Sequence, residues 1–282
     1  MIVWFNGELV PATEARIDPT DRGFLLGDGI FETMLVRRGR TVFLDAHILR
    51  LQRGAAAIGL AIPLDPARIA AACADLLEAN GLTDAPCASL RLTLTRGPGP
   101  RGLALPASPA PTLMMTAAPA AAAPPGLSAI VATPRRNNRS PSAALKAIAY
   151  LDNVLAREEA RARGAEEALM LDSDGHLACA SAANIFLWER GRLVTPSTDC
   201  GILAGITRAA VLELAPGLGI ETAEERIDTA RLAQIDGAFL TNSLMGIVPL
   251  TRIDGRTLPE YPETARLDAA YELLLVAAER SG

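Results

Sequence analysis

Lys146 is the only lysine in the 282-residue chain, and every other strong base is an arginine. A guanidinium serves well enough on a surface, but it stays protonated with a pKa above about 12 and cannot condense with a carbonyl. A primary amine held deprotonated in a shielded pocket can, and forms a Schiff base. The stretch around it, Ser142-Ala143-Ala144-Leu145-Lys146-Ala147-Ile148-Ala149-Tyr150-Leu151-Asp152-Asn153, is mostly apolar. Burial among Leu145, Ile148, Ala149 and Leu151 would lower the amine's pKa. A lysine that merely survived an arginine bias on an exposed face would leave the same trace in the composition.

Two further groups could bind anions. Arg96-Gly97-Pro98-Gly99-Pro100-Arg101-Gly102 is a glycine- and proline-rich loop, and its two arginines suit a carboxylate-bearing ligand as well as a solvated turn. In Cys200-Gly201-Ile202-Leu203-Ala204-Gly205-Ile206-Thr207-Arg208, which leads into a helical pattern, the amides of Ile206 and Thr207 would be free donors and a natural phosphate seat. Thr207 could equally be no more than the helix cap. Other chemistries lack material. His47 and His176 are the only histidines, too few for a histidine metal site or a Ser/His/Asp relay, so no metal is expected. Cysteines 73, 87, 179 and 200 show no CxxC spacing and read as reduced thiols.

These residues need a scaffold. A chain this long, half of it apolar, can bury one large core or two ordinary ones. Its net charge of -5 offers no basic footprint for nucleic acid, so small molecules are the expected partners. With no apolar run long enough to span a bilayer and no secretory leader, a cytoplasmic protein is expected. Asn6-Gly7 predicts a hairpin, and a strand is expected from Ile30 to Val36. Asp45 predicts the cap of a helix to about Ile58 that places His47 and Arg50 one turn apart. Asp65, Pro66 and Gly81 punctuate a second helix. Residues 88–95 alternate as a half-buried strand, with Arg91, Thr93 and Thr95 on the polar side. The alanine- and proline-rich residues 118–126 lose all periodicity and predict a linker between an N-terminal domain, 1–117, and a C-terminal domain, 127–282.

Taken together, the segments resemble the class IV pyridoxal-phosphate enzymes, a family that includes branched-chain and D-amino-acid aminotransferases and 4-amino-4-deoxychorismate lyase. The markers are Gly27-Asp28-Gly29-Ile30-Phe31-Glu32, His47-Ile48-Leu49-Arg50-Leu51, Leu145-Lys146 with Tyr150-Leu151, Gly164 to Asp172, Ala183-Asn184-Ile185-Phe186, Leu203 to Arg208, and Thr241-Asn242-Ser243, in that order over nearly the whole chain. The resemblance implies fold type IV, with two α/β domains, the cofactor at their interface and a homodimer completing the pocket. It implies that Lys146 holds pyridoxal 5'-phosphate as a Schiff base and shuttles the proton. Arg50, Ile206, Thr207 and Ser243 would bind the phosphate, beside Asn242. Tyr150 would hydrogen-bond the phenolic oxygen, and Leu203 would lie on the ring.

One position departs from the family. Most members carry a glutamate that pairs with the pyridine nitrogen, and here that position is Cys179, a poor partner for a pyridinium. The substrate markers also divide. Arg101 matches the carboxylate-binding arginine of D-amino-acid aminotransferases, but its companions there, a tyrosine and a histidine, are Phe31 and Leu103 here. Asn242 is a further substrate contact on this comparison, while Thr95 to Gly102 and Thr241 to Leu244 look more like the lyase. The expected reaction is amino transfer between a small amino acid or amine and a 2-keto acid, with elimination of pyruvate from aminodeoxychorismate as the alternative. A cofactor-carrying binding protein that has lost its chemistry is a third.

Overall fold

The hairpin expected at Asn6-Gly7 forms: β1 (Ile2–Phe5) and β2 (Glu8–Pro11) are joined through residues at φ 49° and 111°. The computed structural model describes residues 1–281, and the chain divides into two units, Met1–Ala121 with Leu145–Ala149 and the end from Ala278, and Ala122–Ala144 with Tyr150–Ala277.

In the first unit the hairpin is followed by α1 (Arg22–Leu26), β3 (Gly29–Arg37), β4 (Arg40–Thr41), α2 (Leu44–Ala57), α3 (Pro66–Ala79), β5 (Ala88–Thr95) and β6 (Thr112–Pro119). The strands make one antiparallel sheet in the order β2-β1-β6-β5-β3-β4. Its core is what the alternation of β5 implies: Leu90, Leu92 and Leu94 are buried with Ile30 and Met34 of β3 against Ile48 and Leu51 of α2 and Ile69, Cys73, Leu76 and Leu77 of α3. Each such side chain contributes roughly 2 kcal/mol by leaving water. Asp65 caps α3 as expected, accepting from Arg68 N at 2.8 Å. Asp45 does not cap α2. The cap is Phe43, at φ 53°, and Asp45 lies inside the first turn, where a carboxylate still opposes the positive end of the helix dipole.

The expected division at 118–126 also needs amendment. Strand β6 runs on to Pro119, held to β5 by pairing of Ala88 with Pro119, so only 120–126 lack regular structure. More important for function, Leu145–Ala149 belongs to the first unit and not to the block 127–282.

The second unit contains β7 (Leu127–Arg136), α4 (Leu151–Ala162), β8 (Glu167–Asp172), β9 (His176–Ala180), β10 (Asn184–Glu189), β11 (Arg192–Pro196), α5 (Ile206–Gly217), β12 (Thr222–Glu225), β13 (Ile227–Asp228), β14 (Gly237–Asn242), β15 (Gly246–Ile253), β16 (Arg256–Thr257) and α6 (Pro262–Ser281), whose last residues pass into the first unit. Its sheet has the order β12-β11-β10-β14-β15-β7-β8-β9-β13, with β16 pairing on β15. Pairs β15/β7, β7/β8 and β11/β12 are parallel and the rest antiparallel. Phe186 stacks on Phe239 across β10 and β14, 5.0 Å between ring centres. Ala156 and Ala160 let α4 approach Ile130, Ala168 and Met170 closely. Among the described residues no helix is long and apolar enough to cross a membrane.

Candidate active site

Lys146 is placed by backbone pairing to the start of β3. Phe31 N donates to Lys146 O at 2.9 Å, Ile148 N donates to Gly29 O at 3.1 Å, and Ala147 bridges antiparallel to Ile30. Gly29 is crowded from both sides: a Cβ would stand 2.6 Å from Leu94 O of β5 and 3.1 Å from Ile148 Cδ1. Shielding therefore comes from the first unit's sheet and not from all the expected neighbours, since Leu151 is exposed and Ala149 likewise. Lys146 Nζ lies 4.4 Å from the centre of the Phe31 ring, and the guanidinium carbon of Arg91 lies 3.8 Å from the same centre. Burial, joined by the cations Arg50 and Arg91 and opposed by Glu32, lowers the amine's pKa from 10.5 to about 8.

Beside it is a buried ionic group. Glu32, 2% exposed, accepts from Arg50 Nε at 2.8 Å and Nη2 at 2.6 Å, and its Oε2 lies 2.7 Å from His47 Nδ1. Burial pushes the Glu32 carboxyl up, but the hydrogen bonds from Arg50 and His47 outweigh it and hold the group below its ordinary value. Burial lowers the His47 pKa against the pull of Glu32, so a neutral imidazole donates Nδ1–H to the carboxylate. Arg50 thus enters any anion site already oriented by a fork to Glu32.

The two arginines of the glycine-proline loop, which suit a carboxylate ligand or a solvated turn alike, are used differently. Arg96, 3% exposed, is spent on Asp28 (2.8 and 3.0 Å) and on the carbonyls of Ile58 and Gly59. Arg22 shares the same carboxylate at 2.8 Å and grips the carbonyls of Gly102, Leu103 and Ala104. Arg101 and Leu103 stand exposed on the loop so held, and Arg101 makes no hydrogen bond among the described residues. Arg91, which was assigned only to the polar face of β5, is the arginine that the sheet brings to Lys146. No local signal gives this: only the register, in which Phe31 pairs with Thr93, makes Arg91 its diagonal neighbour on that face.

In the second unit the N-terminus of α5 is open. Its cap, Gly205, has no side chain to claim the first amides, and a Cβ there would come 2.0 Å from Asn184 Oδ1. Asn184 Nδ2 in turn donates to Leu203 O at 2.9 Å, fixing the half-buried Leu203 and the approach to the helix. Thr207 is not the cap. It sits in the first turn, 2% exposed, with Oγ1 3.3 Å from the Tyr271 hydroxyl. Asn184 pairs with Thr241, which sets the β14–β15 turn carrying Asn242 and Ser243 alongside. Asn242 Oδ1 accepts from Leu244 N and Met245 N, closing that turn, and its Nδ2 donates to Ala182 O at 3.2 Å. Ser243 is half-buried, as is Tyr150, the residue before α4.

Cys179 on β9 pairs with Met170 and is 7% exposed, and burial pushes its thiol up to about 11. An acid is present nearby but engaged. Glu167, 1% exposed, accepts from Ala168 N, from Ser181 N and Oγ, and from Arg157 at 2.5 Å.

The model of the amino-transferase class IV family matches residues 29–253. A putative branched-chain-amino-acid aminotransferase of Methanocaldococcus jannaschii is 35% identical over 92% of this chain and 90% of its own length. An aminodeoxychorismate lyase of Bacillus subtilis is 32% identical over 90% and 87%. The crystal structure of a branched-chain aminotransferase from Thermoproteus uzoniensis with norvaline superposes with a TM-score of 0.92 at 31% identity, covering 99% of this chain and 96% of that one.

Proposed function

The chain belongs to the class IV aminotransferases, enzymes that use pyridoxal 5'-phosphate, and from that premise we propose that it moves an amino group between a small amino acid or amine and a 2-keto acid. The observation that carries this is the single amine of Lys146, with its pKa brought to about 8 on the Phe31 ring. The residues suit the cofactor at two points. Lys146 offers a nucleophile for an aldehyde, and α5 offers unclaimed amides beside a glycine whose missing Cβ leaves room. Bound there, the cofactor supplies an aldehyde that condenses with amines and a ring that draws electrons from the bond to be broken.

The chain's own groups do the rest. Lys146 would hold the cofactor through its amine and serve as the base that moves the substrate's α-proton. Arg50, Ile206, Thr207 and Ser243 bind phosphate, with Asn242 shaping the turn that presents Ser243. Tyr150 would donate to the phenolic oxygen, and Leu203 would support the ring. Arg91, beside Lys146 on Phe31, binds a substrate carboxylate, while Arg101 and Leu103 serve the mouth of the site. Exposed Phe24, Leu25 and Leu26 on α1, with Leu103 and Leu105 on the loop tied to it by Arg22, support a homodimer through that face. Four free cysteines accord with a reducing, cytoplasmic setting.

Cys179 favours a second reaction, elimination of pyruvate from aminodeoxychorismate, because aromatisation of the product eases the demand on the ring. The two separate in one assay: loaded protein is given amino donors with a 2-keto acid, or aminodeoxychorismate alone. Exchange of amino groups in the first supports the transferase. Pyruvate and 4-aminobenzoate in the second, without exchange in the first, replaces it with the lyase.

A further inference from the structure

Cys179, Arg136 and the loop that leads into α5 form one group of residues within the second unit. The thiol shares a buried cluster with Cys200 and Ile202, the latter next to Leu203. Arg136, at the end of β7, reaches the same loop from another side, donating from Nη2 to Gly201 O at 3.1 Å and to Ala143 O at 2.7 Å, and from Nε to Gly201 O at 3.3 Å. These acceptors are neutral carbonyls, and no carboxylate pairs with Arg136 among the described residues. The loop itself is tightly set, since at Gly201, φ 71°, a Cβ would fall 2.6 Å from Asn138 Cα.

Burial raises the Cys179 thiol most, with Arg136 pulling it down and Glu167 pushing it up. Glu167 is neutralised by Arg157 and has its oxygens filled by Ser181 and Ala168 N, so it is not free to meet another cation. Arg136 makes no such ion pair: the buried carboxylate of Asp172, its register partner on β8, is occupied by Asp174 N, His176 N and Asn138 Nδ2. A basic nitrogen facing a neutral thiol, with a guanidinium that makes no ion pair close by, loses affinity for its proton, because the charged form gains no acceptor.

Resting on the assignment of pyridoxal phosphate to this chain, we propose that Cys179 and Arg136 form the wall that meets the cofactor's ring nitrogen and keep that nitrogen unprotonated. The two residues thereby select among reactions. They slow steps that must store an electron pair in the ring, as amino transfer does, and leave steps that pass electrons out through the substrate less affected. Cys179 is a positioning and tuning residue here, touching the ring nitrogen and taking no part in bond breaking.

The test reads the nitrogen directly. Protein reconstituted with cofactor labelled with nitrogen-15 in the ring is followed by NMR near neutral pH, in the wild type and in Cys179→Glu and Cys179→Ser. The expected result is a free-pyridine resonance in the wild type and in Cys179→Ser, and a move to the pyridinium position in Cys179→Glu. A second readout is affinity for the analogue in which carbon replaces the ring nitrogen: wild type binds it within roughly threefold of pyridoxal phosphate, less than 1 kcal/mol apart. A pyridinium signal in the wild type overturns the proposal even if Cys179→Glu fails to fold. Failure of the assignment on which it rests is distinct, because Lys146 would then take up neither compound.

Discussion

Glu32, His47 and Arg50 show how an ionic group can be tolerated in an apolar unit: every charge has a partner, and Arg50 is aimed by its fork to Glu32. Removing Glu32 leaves a half-buried guanidinium without its fork, and breaking such a pair costs about 3 kcal/mol. Glu32→Ala is therefore expected to lower the unfolding free energy of the cofactor-free protein by about that amount in urea titration. The same substitution has a sign at Lys146. Glu32 raises the amine's pKa, so without it the pH profile of cofactor capture moves to lower pH, and a move upward would contradict the placement. In the wild type the rate of capture, followed by the change in cofactor absorbance, rises with pH through about 8 and levels off, whereas an ordinary lysine would still be gaining above 10. Linkage runs the same way. Lys146 loses its proton at lower pH folded than unfolded, so its cost to stability is full below about 8 and fades as pH rises to 10.5.

At the scale of elements, the start of α5 and the loop before it are a unit whose shape depends on an absent Cβ. Gly205→Val would drive a methyl-bearing carbon into Asn184 Oδ1 and break its hold on Leu203 O. Affinity for pyridoxal phosphate is expected to fall at least about tenfold, or 1.4 kcal/mol, and capture of pyridoxal without its phosphate to fall markedly less. Equal loss for both would place the phosphate elsewhere. Elements like these were partly legible in the sequence. Asp65 and Pro66 announced α3, and the alternation Leu90, Leu92, Leu94 announced β5, because local patterns decide them. Asp45 misled because Phe43 takes a left-handed conformation that side-chain pattern does not encode. Strand β12 went unseen, a short segment whose parallel partner is distant, and so did β11, although it closes a hairpin with β10 through Arg190-Gly191. Arg91 was visible only as a polar face until the β3/β5 register set it against Phe31.

For the molecule as a whole, the sequence announced two α/β units but misjudged which of them owns Lys146. The lysine lies 24 residues past Ala122, where the second unit begins, and returns to the first by backbone pairing with β3, a contact no local signal predicts. The face formed by Phe24, Leu25 and Leu26 with Leu103 and Leu105 is unusually apolar for a surface, with Phe24 75% exposed. Phe24→Asp is expected to convert a dimer to a monomer in sedimentation while leaving the fold intact by circular dichroism. A wild type that sediments as a monomer would rule the dimer out.

The central claim is the covalent role of Lys146. Protein mixed with pyridoxal 5'-phosphate, reduced with borohydride and digested, is mapped by mass spectrometry. The account predicts a phosphopyridoxyl group on the peptide bearing Lys146 and none on Lys146→Arg, and a label confined to the N-terminal amine, or no label at all, would contradict it.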